Sequence, residues 1–139
     1  MISLSEAFEP RGHDLHGSGH FGAPRGNRTH KGQDYQIQPG QPFLAPFDCI
    51  LVRFGFVYAH DLKYRLLEVH SIDEDFPGYK AKLMYLEPAQ DDYLNRQFVK
   101  FEPIGITQNI AEKYPGITPH VHLELYDQNN ELLNPINYI

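Results

Sequence analysis

Frequent glycine and proline residues are the feature that most restricts the fold of this chain. Eleven glycines and eleven prolines are spread over 139 residues, so few segments remain long enough for an extended helix. Nine Phe and nine Tyr residues favour β-strands, and this length provides for one hydrophobic core rather than two. The sequence therefore predicts a mainly β protein, a compact antiparallel sheet domain with few short helices.

Charge and cysteine content exclude several classes of protein. A single Cys rules out an internal disulfide framework and a cysteine-rich zinc module. The net charge is -6, and the basic residues are scattered, which disfavours binding to nucleic acid. The longest apolar segment, residues 49–58, is interrupted by Arg53 and Gly55 and is too short to span a bilayer. Neither nucleic acid nor a membrane is expected as a partner, and the oligomeric state stays open.

The first twenty residues contain no continuous apolar segment and no small-residue cleavage site, so no secretory signal is expected. We therefore expect the protein to be cytoplasmic at synthesis. A phage virion or a secretion system would deliver such a protein outside the cell without an export signal.

Turn residues divide the chain into an arm and a series of strands. Residues 1–19, which are polar and rich in Gly and His, are interpreted as an amino-terminal arm, and residues 20–139 as the domain. Sequence patterns predict strands or extended segments at 49–58, 63–70, 79–86, 98–106 and 120–126, and a short helix at 107–114. The first strand is expected to be buried on both faces. Alternation along 79–86 places Tyr85 on the same face as Leu83.

Two short motifs contain residues that bind metals. His120, His122 and Glu124 share one face of the last strand, opposite an apolar face. His30 and Asp34 supply further donors, so that these two and one of the paired histidines would make three ligands of a tetrahedral zinc site. Glu124 is placed to accept a hydrogen bond from a ligand imidazole and to fix its tautomer.

Each motif alone also has an ordinary interpretation. A His-x3-Asp pair is commonly an incidental surface pair, and two histidines on a strand also occur without a metal. Gly32, between the first two donors, would let the chain turn tightly enough to bring them together. A cupin-type site also begins with His-x-His, but it requires a Glu four or five residues further on, where this chain has Tyr126 and Asp127.

Residues around both motifs complete a family pattern. They are Phe21-Gly22-Ala23-Pro24-Arg25, His30-x-Gly32-x-Asp34, Gly40, Pro42, Ala45, Thr118-Pro119-His120-Val121-His122-Leu123-Glu124 and Asn134-Pro135. In this order the chain resembles the LytM/lysostaphin-type zinc metallopeptidase family over residues 20–135. Within that family it most resembles the leukocyte cell-derived chemotaxin branch, on His16-Gly17-Ser18-Gly19, Arg25, Arg28 and Tyr114-Pro115-Gly116-Ile117.

The resemblance carries expectations about fold and chemistry. It implies a LytM/lysostaphin peptidase fold with a groove over the sheet. It implies that His30, Asp34 and His122 bind Zn2+ and that His120 is the catalytic or water-orienting imidazole. Members of the family cut glycine-containing or D-amino-acid links in the peptidoglycan of cell walls, with a zinc-activated water as nucleophile. Peptidoglycan peptides are therefore the partners that the resemblance implies.

One position departs from the pattern of active members. They carry a further catalytic His where this chain has Tyr85, and the chemotaxin branch, which is generally regarded as non-peptidase, likewise has Tyr. A phenol with a pKa of about 10 cannot relay protons at neutral pH as imidazole does, although it can donate a hydrogen bond to an oxyanion. Two functions stay open: a peptidoglycan-directed endopeptidase with a degenerate site, or an inactive zinc-binding module with a binding or structural role.

Other basic residues are further candidates for the groove. Arg25 and Arg28 are expected to line it. The remaining imidazoles that could reach it belong to His13, His16, His20, His60 and His70, whose ordinary interpretation is solvent exposure or local hydrogen bonding.

Overall fold

The computed structural model describes residues 3–139 as a curled antiparallel sheet with short flanking elements. The elements are helix α1 (Leu4–Ala7), strands β1 (His13–Asp14), β2 (Gly17–Ser18), β3 (Pro24–Arg25), β4 (Arg28–Thr29), β5 (Gln33–Gln36), β6 (Pro42–Leu44), β7 (Cys49–Tyr58), β8 (Asp61–Ser71), β9 (Lys80–Met84), β10 (Leu86–Pro88), β11 (Gln97–Phe98), β12 (Pro103–Thr107), β13 (His120–Tyr126) and β14 (Leu132–Leu133), and the 3-10 turns Asp91–Tyr93, Ile110–Glu112 and Pro135–Asn137. The predicted mainly β fold class is confirmed. In this range no helix is both long and apolar enough to cross a bilayer.

The main sheet separates an apolar face from a polar one. Its strands follow the order β11-β7-β8-β9-β13-β14, and β5 also pairs with β13. Four neighbouring strands each contribute a fully buried leucine to the core: Leu51, Leu67, Leu83 and Leu123. The opposite face of β13 carries His122 and Glu124, so the alternation predicted for the last strand is confirmed.

A smaller sheet, with the strand order β10-β12-β6, covers the apolar face. Phe43, Leu86 and Ile104, one from each of its strands, are fully buried in the same core. Because the apolar face is covered from this side, the histidine-bearing face of the main sheet is left available for a groove.

The amino-terminal segment packs along β5. Leu4 is fully buried in the core. The Arg11 amide donates to the Asp34 carbonyl at 2.8 Å, and the Asp34 amide donates to the Gly19 carbonyl at 2.9 Å. Residues 3–19 are therefore tied to the strand that carries a predicted metal ligand. The first two residues of the predicted arm lie outside the described residues, and the limits of arm and domain stay a prediction.

Three segments differ from the prediction. Residues 49–58 form strand β7, but its residues alternate between buried and more exposed positions, because the small sheet covers one face only. Residues 98–106 divide into β11 and β12 around Phe101, which has a φ of 68°. The helix predicted at 107–114 is reduced to the 3-10 turn Ile110–Glu112, because Thr107 is still part of β12, where it pairs with Leu86, and Pro115 ends the segment.

Candidate active site

Three side chains from the predicted metal motifs converge on one point. His122 lies directly opposite Asp34 in the antiparallel register of β13 and β5, so both side chains leave the sheet on the same face. His30 reaches them from the loop before β5. Its Nε2 lies 2.9 Å from His122 Nδ1 and 3.3 Å from Asp34 Oδ1, and His122 Nδ1 lies 2.9 Å from Asp34 Oδ1.

The three donor atoms fit a zinc ion. Ligands at about 2.0–2.1 Å from a tetrahedral zinc lie about 3.3 Å from one another, close to the edges of this donor triangle. His30 Nδ1–H donates to the His20 carbonyl at 3.0 Å, and His122 Nε2–H donates to Glu124 Oε2 at 2.9 Å. The other nitrogen of each imidazole points into the triangle, where it hydrogen-bonds to Asp34 in the metal-free protein. A bound cation would displace the proton from that nitrogen and take its lone pair. The group can therefore hold a metal ion.

Gly32 is required by close packing beside the donors. A Cβ at this position would lie 2.3 Å from the Leu123 carbonyl oxygen and 2.8 Å from His122 Nε2. The backbone at residue 32 passes directly against β13, so any side chain would displace the strand or the imidazole.

Glu124 lies directly behind His122. Its Oε2 accepts from that imidazole, and its Oε1 accepts from the Tyr126 hydroxyl at 2.6 Å. Burial raises the pKa of Glu124, but these hydrogen bonds outweigh it and lower the pKa to about 2. Burial lowers the pKa of His122, but its hydrogen bonds to Asp34 and Glu124 raise it to about 9. The carboxylate is thus an ionised acceptor that fixes the orientation of the ring.

Arg11 is a part of the site that the sequence motifs did not reveal. Its side chain is 2% exposed, and Nη1 donates to Asp34 Oδ2 at 2.8 Å. Its Nε and Nη2 donate to the Asp14 carboxylate at 3.0 and 2.7 Å. Burial raises the pKa of Asp34, but the charge that His120 carries when it is protonated and hydrogen bonds from the two neighbouring imidazoles hold it well below its ordinary value. Asp34 therefore presents Oδ1 to the imidazoles and Oδ2 to the guanidinium.

Replacing Arg11 with Met is expected to lower the free energy of unfolding by about 3–5 kcal/mol, because the carboxylates of Asp14 and Asp34 lose the cation between them. Urea denaturation of the metal-free protein measures this loss. Arg53→Met is the matched control, since Arg53 pairs with Glu68 but is half exposed and should cost no more than about 1 kcal/mol. Equal losses for the two variants would contradict a structural role for Arg11 in the site.

His120 lies beside the donor triangle. Its Nδ1–H donates to the Thr118 carbonyl at 2.7 Å, which directs Nε2 toward Asp34, 3.4 Å from Oδ2. Burial lowers the pKa of His120 more than the nearby carboxylate raises it. A neutral imidazole with this orientation can accept a proton from a water molecule in the groove.

Tyr85 lines the groove and does not share the face of Leu83, although strand alternation predicted that it would. Leu83 is fully buried in the core, whereas the Tyr85 ring meets the His120 ring edge-on, with centroids 5.5 Å apart. The cause is the backbone of Tyr85, whose φ of 67° is a left-handed conformation that interrupts the alternation between β9 and β10. The prediction that Tyr85 shares the face of Leu83 was therefore wrong.

The Tyr85 hydroxyl belongs to a chain of three phenols. It lies 2.8 Å from the Tyr58 hydroxyl, which lies 3.1 Å from that of Tyr114. Burial raises the pKa of Tyr85 to about 12, so the phenol is neutral at physiological pH. It can donate a hydrogen bond, but it cannot act as a base there.

All of the predicted site residues except Glu124, which lies behind His122, line one cavity of about 360 Å³. It is lined by Arg11, His16, Arg25, Arg28, His30, Asp34, Tyr58, Met84, Tyr85, Tyr114, Ile117, His120 and His122. Both predicted arginines are among them. Of the five remaining histidines, His16 reaches the cavity, with Nε2 2.9 Å from the Pro115 carbonyl oxygen. The other four do not line it.

Comparisons with known proteins identify relatives of this fold. No protein-family model matches the chain. Leukocyte cell-derived chemotaxin-2 from Bos taurus is 26% identical over 128 residues, which cover 91% of this chain and 76% of the bovine protein. The same protein from Mus musculus is 28% identical over 134 residues, which cover 94% of this chain and 82% of the mouse protein.

Solved structures of peptidases share the architecture. The antimicrobial peptidase lysostaphin from Staphylococcus simulans matches with a TM-score of 0.69 at 16% identity, over 99% of this chain and 52% of lysostaphin. Its catalytic domain alone matches with a TM-score of 0.64 at 17% identity, over 97% of this chain and 94% of that domain. The chain thus spans about half of lysostaphin and nearly all of its catalytic domain. The resemblance predicted from the motifs is confirmed: this chain has the lysostaphin/M23 peptidase fold, and its sequence is similar to leukocyte cell-derived chemotaxin-2.

Proposed function

We propose that this protein is a zinc-dependent endopeptidase of the lysostaphin type that acts on peptides like those of peptidoglycan, with a degenerate site that makes it slow. The observation that carries the proposal is the convergence of His30, Asp34 and His122 beside His120 in one cavity. The peptidase fold and the cavity supply a setting in which a peptide could reach these groups.

The donor set and its neighbours have separate tasks. A bound zinc ion would polarise the scissile carbonyl and lower the pKa of a water molecule. Asp34, held by Arg11, and the two ligand imidazoles would fix that ion in place. His120 presents Nε2 on the same side of the sheet and would accept a proton from the attacking water and return it to the leaving amine.

Tyr85 is the reason to expect slow turnover. It stands where active relatives have a catalytic His, and its neutral phenol can offer one hydrogen bond to the developing oxyanion but no proton relay at neutral pH. Loss of one such stabilising group typically lowers the rate by about 10²- to 10³-fold. We therefore propose residual hydrolysis rather than the full rate of a lysostaphin-type peptidase.

A second candidate function is a zinc-binding module that holds peptides without cutting them. The specific observation in its favour is that Tyr85 is already hydrogen-bonded to Tyr58, which in turn contacts Tyr114. A hydroxyl engaged in this way is less available to an oxyanion. The similarity to leukocyte cell-derived chemotaxin-2 also favours this function, because the resemblance implies a Tyr at this position in that branch.

Hydrolysis by the zinc-loaded protein separates the two candidates. Pentaglycine and purified cross-linked peptidoglycan are the substrates, and release of new amino groups is the measurement. We expect slow cleavage by the wild type and at least about a 10²-fold loss in His120→Ala. His60→Ala is the control, because His60 is exposed and lies outside the cavity. Peptide binding without any cleavage would overturn the endopeptidase and support the binding module.

A further inference from the structure

The cavity is cationic although the protein as a whole is acidic. The net charge of the chain is -6, but three arginines and a single carboxylate, Asp34, line the cavity. The charge of Arg11 is matched by its ion pairs with Asp14 and Asp34. The positive charges of the other two arginines in the lining, Arg25 and Arg28, are not matched in this way.

These two side chains are neighbours on a small hairpin. Strands β3 and β4 pair so that Arg25 lies directly opposite Arg28, and Gly26, with a φ of 64°, allows the tight connection between them. Like charges directly opposite each other across an antiparallel pair are destabilising. The arrangement becomes favourable when an anion lies between the two guanidinium groups.

No carboxylate of residues 3–139 pairs with either side chain. Arg25 donates to the carbonyl oxygens of Ser18 at 2.6 Å and Pro24 at 3.0 Å, which hold its position without neutralising its charge. Arg28 is exposed and forms no ion pair within the described part of the chain. Both line the cavity that contains the donor triangle, so an anion bound here would belong to a ligand lying in the groove.

We propose that Arg25 and Arg28 form a carboxylate-binding subsite of the groove. The ligand would be a peptide whose free C-terminal carboxylate or acidic side chain lies between the two guanidinium groups while its backbone extends toward the donor triangle. Guanidinium groups suit this task because their paired N–H donors match the two oxygens of a carboxylate. The inference rests on the proposed peptide-binding function and adds the charge of the ligand to it.

Calorimetric titration of the zinc-loaded full chain tests the subsite. The probes are pentaglycine with a free carboxylate and the same peptide as its C-terminal amide. A second pair, Gly-Gly-Glu-Gly-Gly amide and Gly-Gly-Gln-Gly-Gly amide, distinguishes a side-chain carboxylate from a terminal one. In at least one pair the acidic peptide should bind about 10-fold more tightly than its neutral partner, as expected for a charge-assisted hydrogen-bonded pair.

Substitution assigns this preference to the two arginines. In Arg25→Gln and Arg28→Gln the ratio of the two affinities should fall, and in the double variant it should approach one. Lys31→Gln is the charge-matched control, because Lys31 is exposed and does not line the cavity, and it should keep the wild-type ratio. Circular dichroism melting confirms that each variant is folded, and Arg28→Gln alone remains informative if Arg25→Gln is not.

Three outcomes would overturn the subsite. Equal affinity for acidic and neutral peptides would remove it while leaving the proposed function intact. If the variant with both Arg25→Gln and Arg28→Gln still prefers the acidic peptides, the carboxylate binds elsewhere in the groove, for example to the metal. Absence of binding for all four peptides would overturn the subsite. The cleavage assay then decides the proposed function separately, which fails as well only if pentaglycine is not cut.

Discussion

Zinc-loaded Tyr85→His is expected to cleave pentaglycine about 10²-fold faster than the wild type. An imidazole at this position would supply the catalytic group that the family resemblance implies for active members, and a positioned acid or base of near-neutral pKa typically contributes about 10²- to 10⁴-fold. The lower end is appropriate because Tyr85 already has a hydroxyl that can stabilise an oxyanion. Initial rates at neutral pH, with the same zinc content in both proteins, measure the effect.

The backbone conformation at residue 85 can accommodate His. The left-handed φ of Tyr85 disfavours bulky side chains, whereas His is enriched there several-fold relative to most residues. Tyr85→Phe is the matched control, because it keeps the ring against His120 and removes only the hydroxyl. We expect no gain in that variant. A Tyr85→His variant that is folded, binds zinc and cleaves no faster than the wild type would contradict the assignment of Tyr85 to the catalytic position.

Zinc is expected to stabilise the folded protein by about 4 kcal/mol when free zinc exceeds its dissociation constant by about 1,000-fold. The donors come from His30 and His122, which are 92 positions apart in the chain, so the unfolded protein offers no comparable site. Urea denaturation with and without zinc measures the difference. Magnesium is the metal control: it should stabilise the protein less than zinc does, because a donor set rich in imidazole favours zinc.

His122→Ala should lose this stabilisation almost completely, since it removes one of the three donors. His70→Ala is the control: His70 bonds to Glu68 on the same sheet and lies outside the cavity, so its response to zinc should match the wild type. An unchanged zinc effect in His122→Ala would locate the metal elsewhere.

The sequence predicted the parts of the site that depend on strand geometry. Alternation along 120–126 correctly placed His120 and His122 on one face, because β13 is a regular strand with neighbours on both sides. The spacing of His30 and Asp34 was informative because β5 pairs with β13 in a register that sets Asp34 opposite His122. In a regular strand the face of each side chain follows from its position along the chain, so an alternating sequence pattern predicts it correctly.

The parts that were missed depend on irregular backbone and on packing between distant segments. The left-handed backbone of Tyr85 turns its side chain away from the face of Leu83 and into the groove, and nothing in the alternating sequence pattern indicates this irregularity. Arg11 stands in a polar, Gly- and His-rich segment where an arginine ordinarily faces solvent, and its burial follows only from the pairing of that segment with β5. The opposed arrangement of Arg25 and Arg28 likewise required the hairpin register.

Zinc binding by His30, Asp34 and His122 can be observed in crystals of the zinc-loaded protein, measured at wavelengths on either side of the zinc absorption edge. We expect one anomalous peak, at about 2.0–2.2 Å from His30 Nε2, Asp34 Oδ1 and His122 Nδ1. A zinc-loaded protein whose anomalous peak lies away from these atoms, or that shows none, would contradict this assignment.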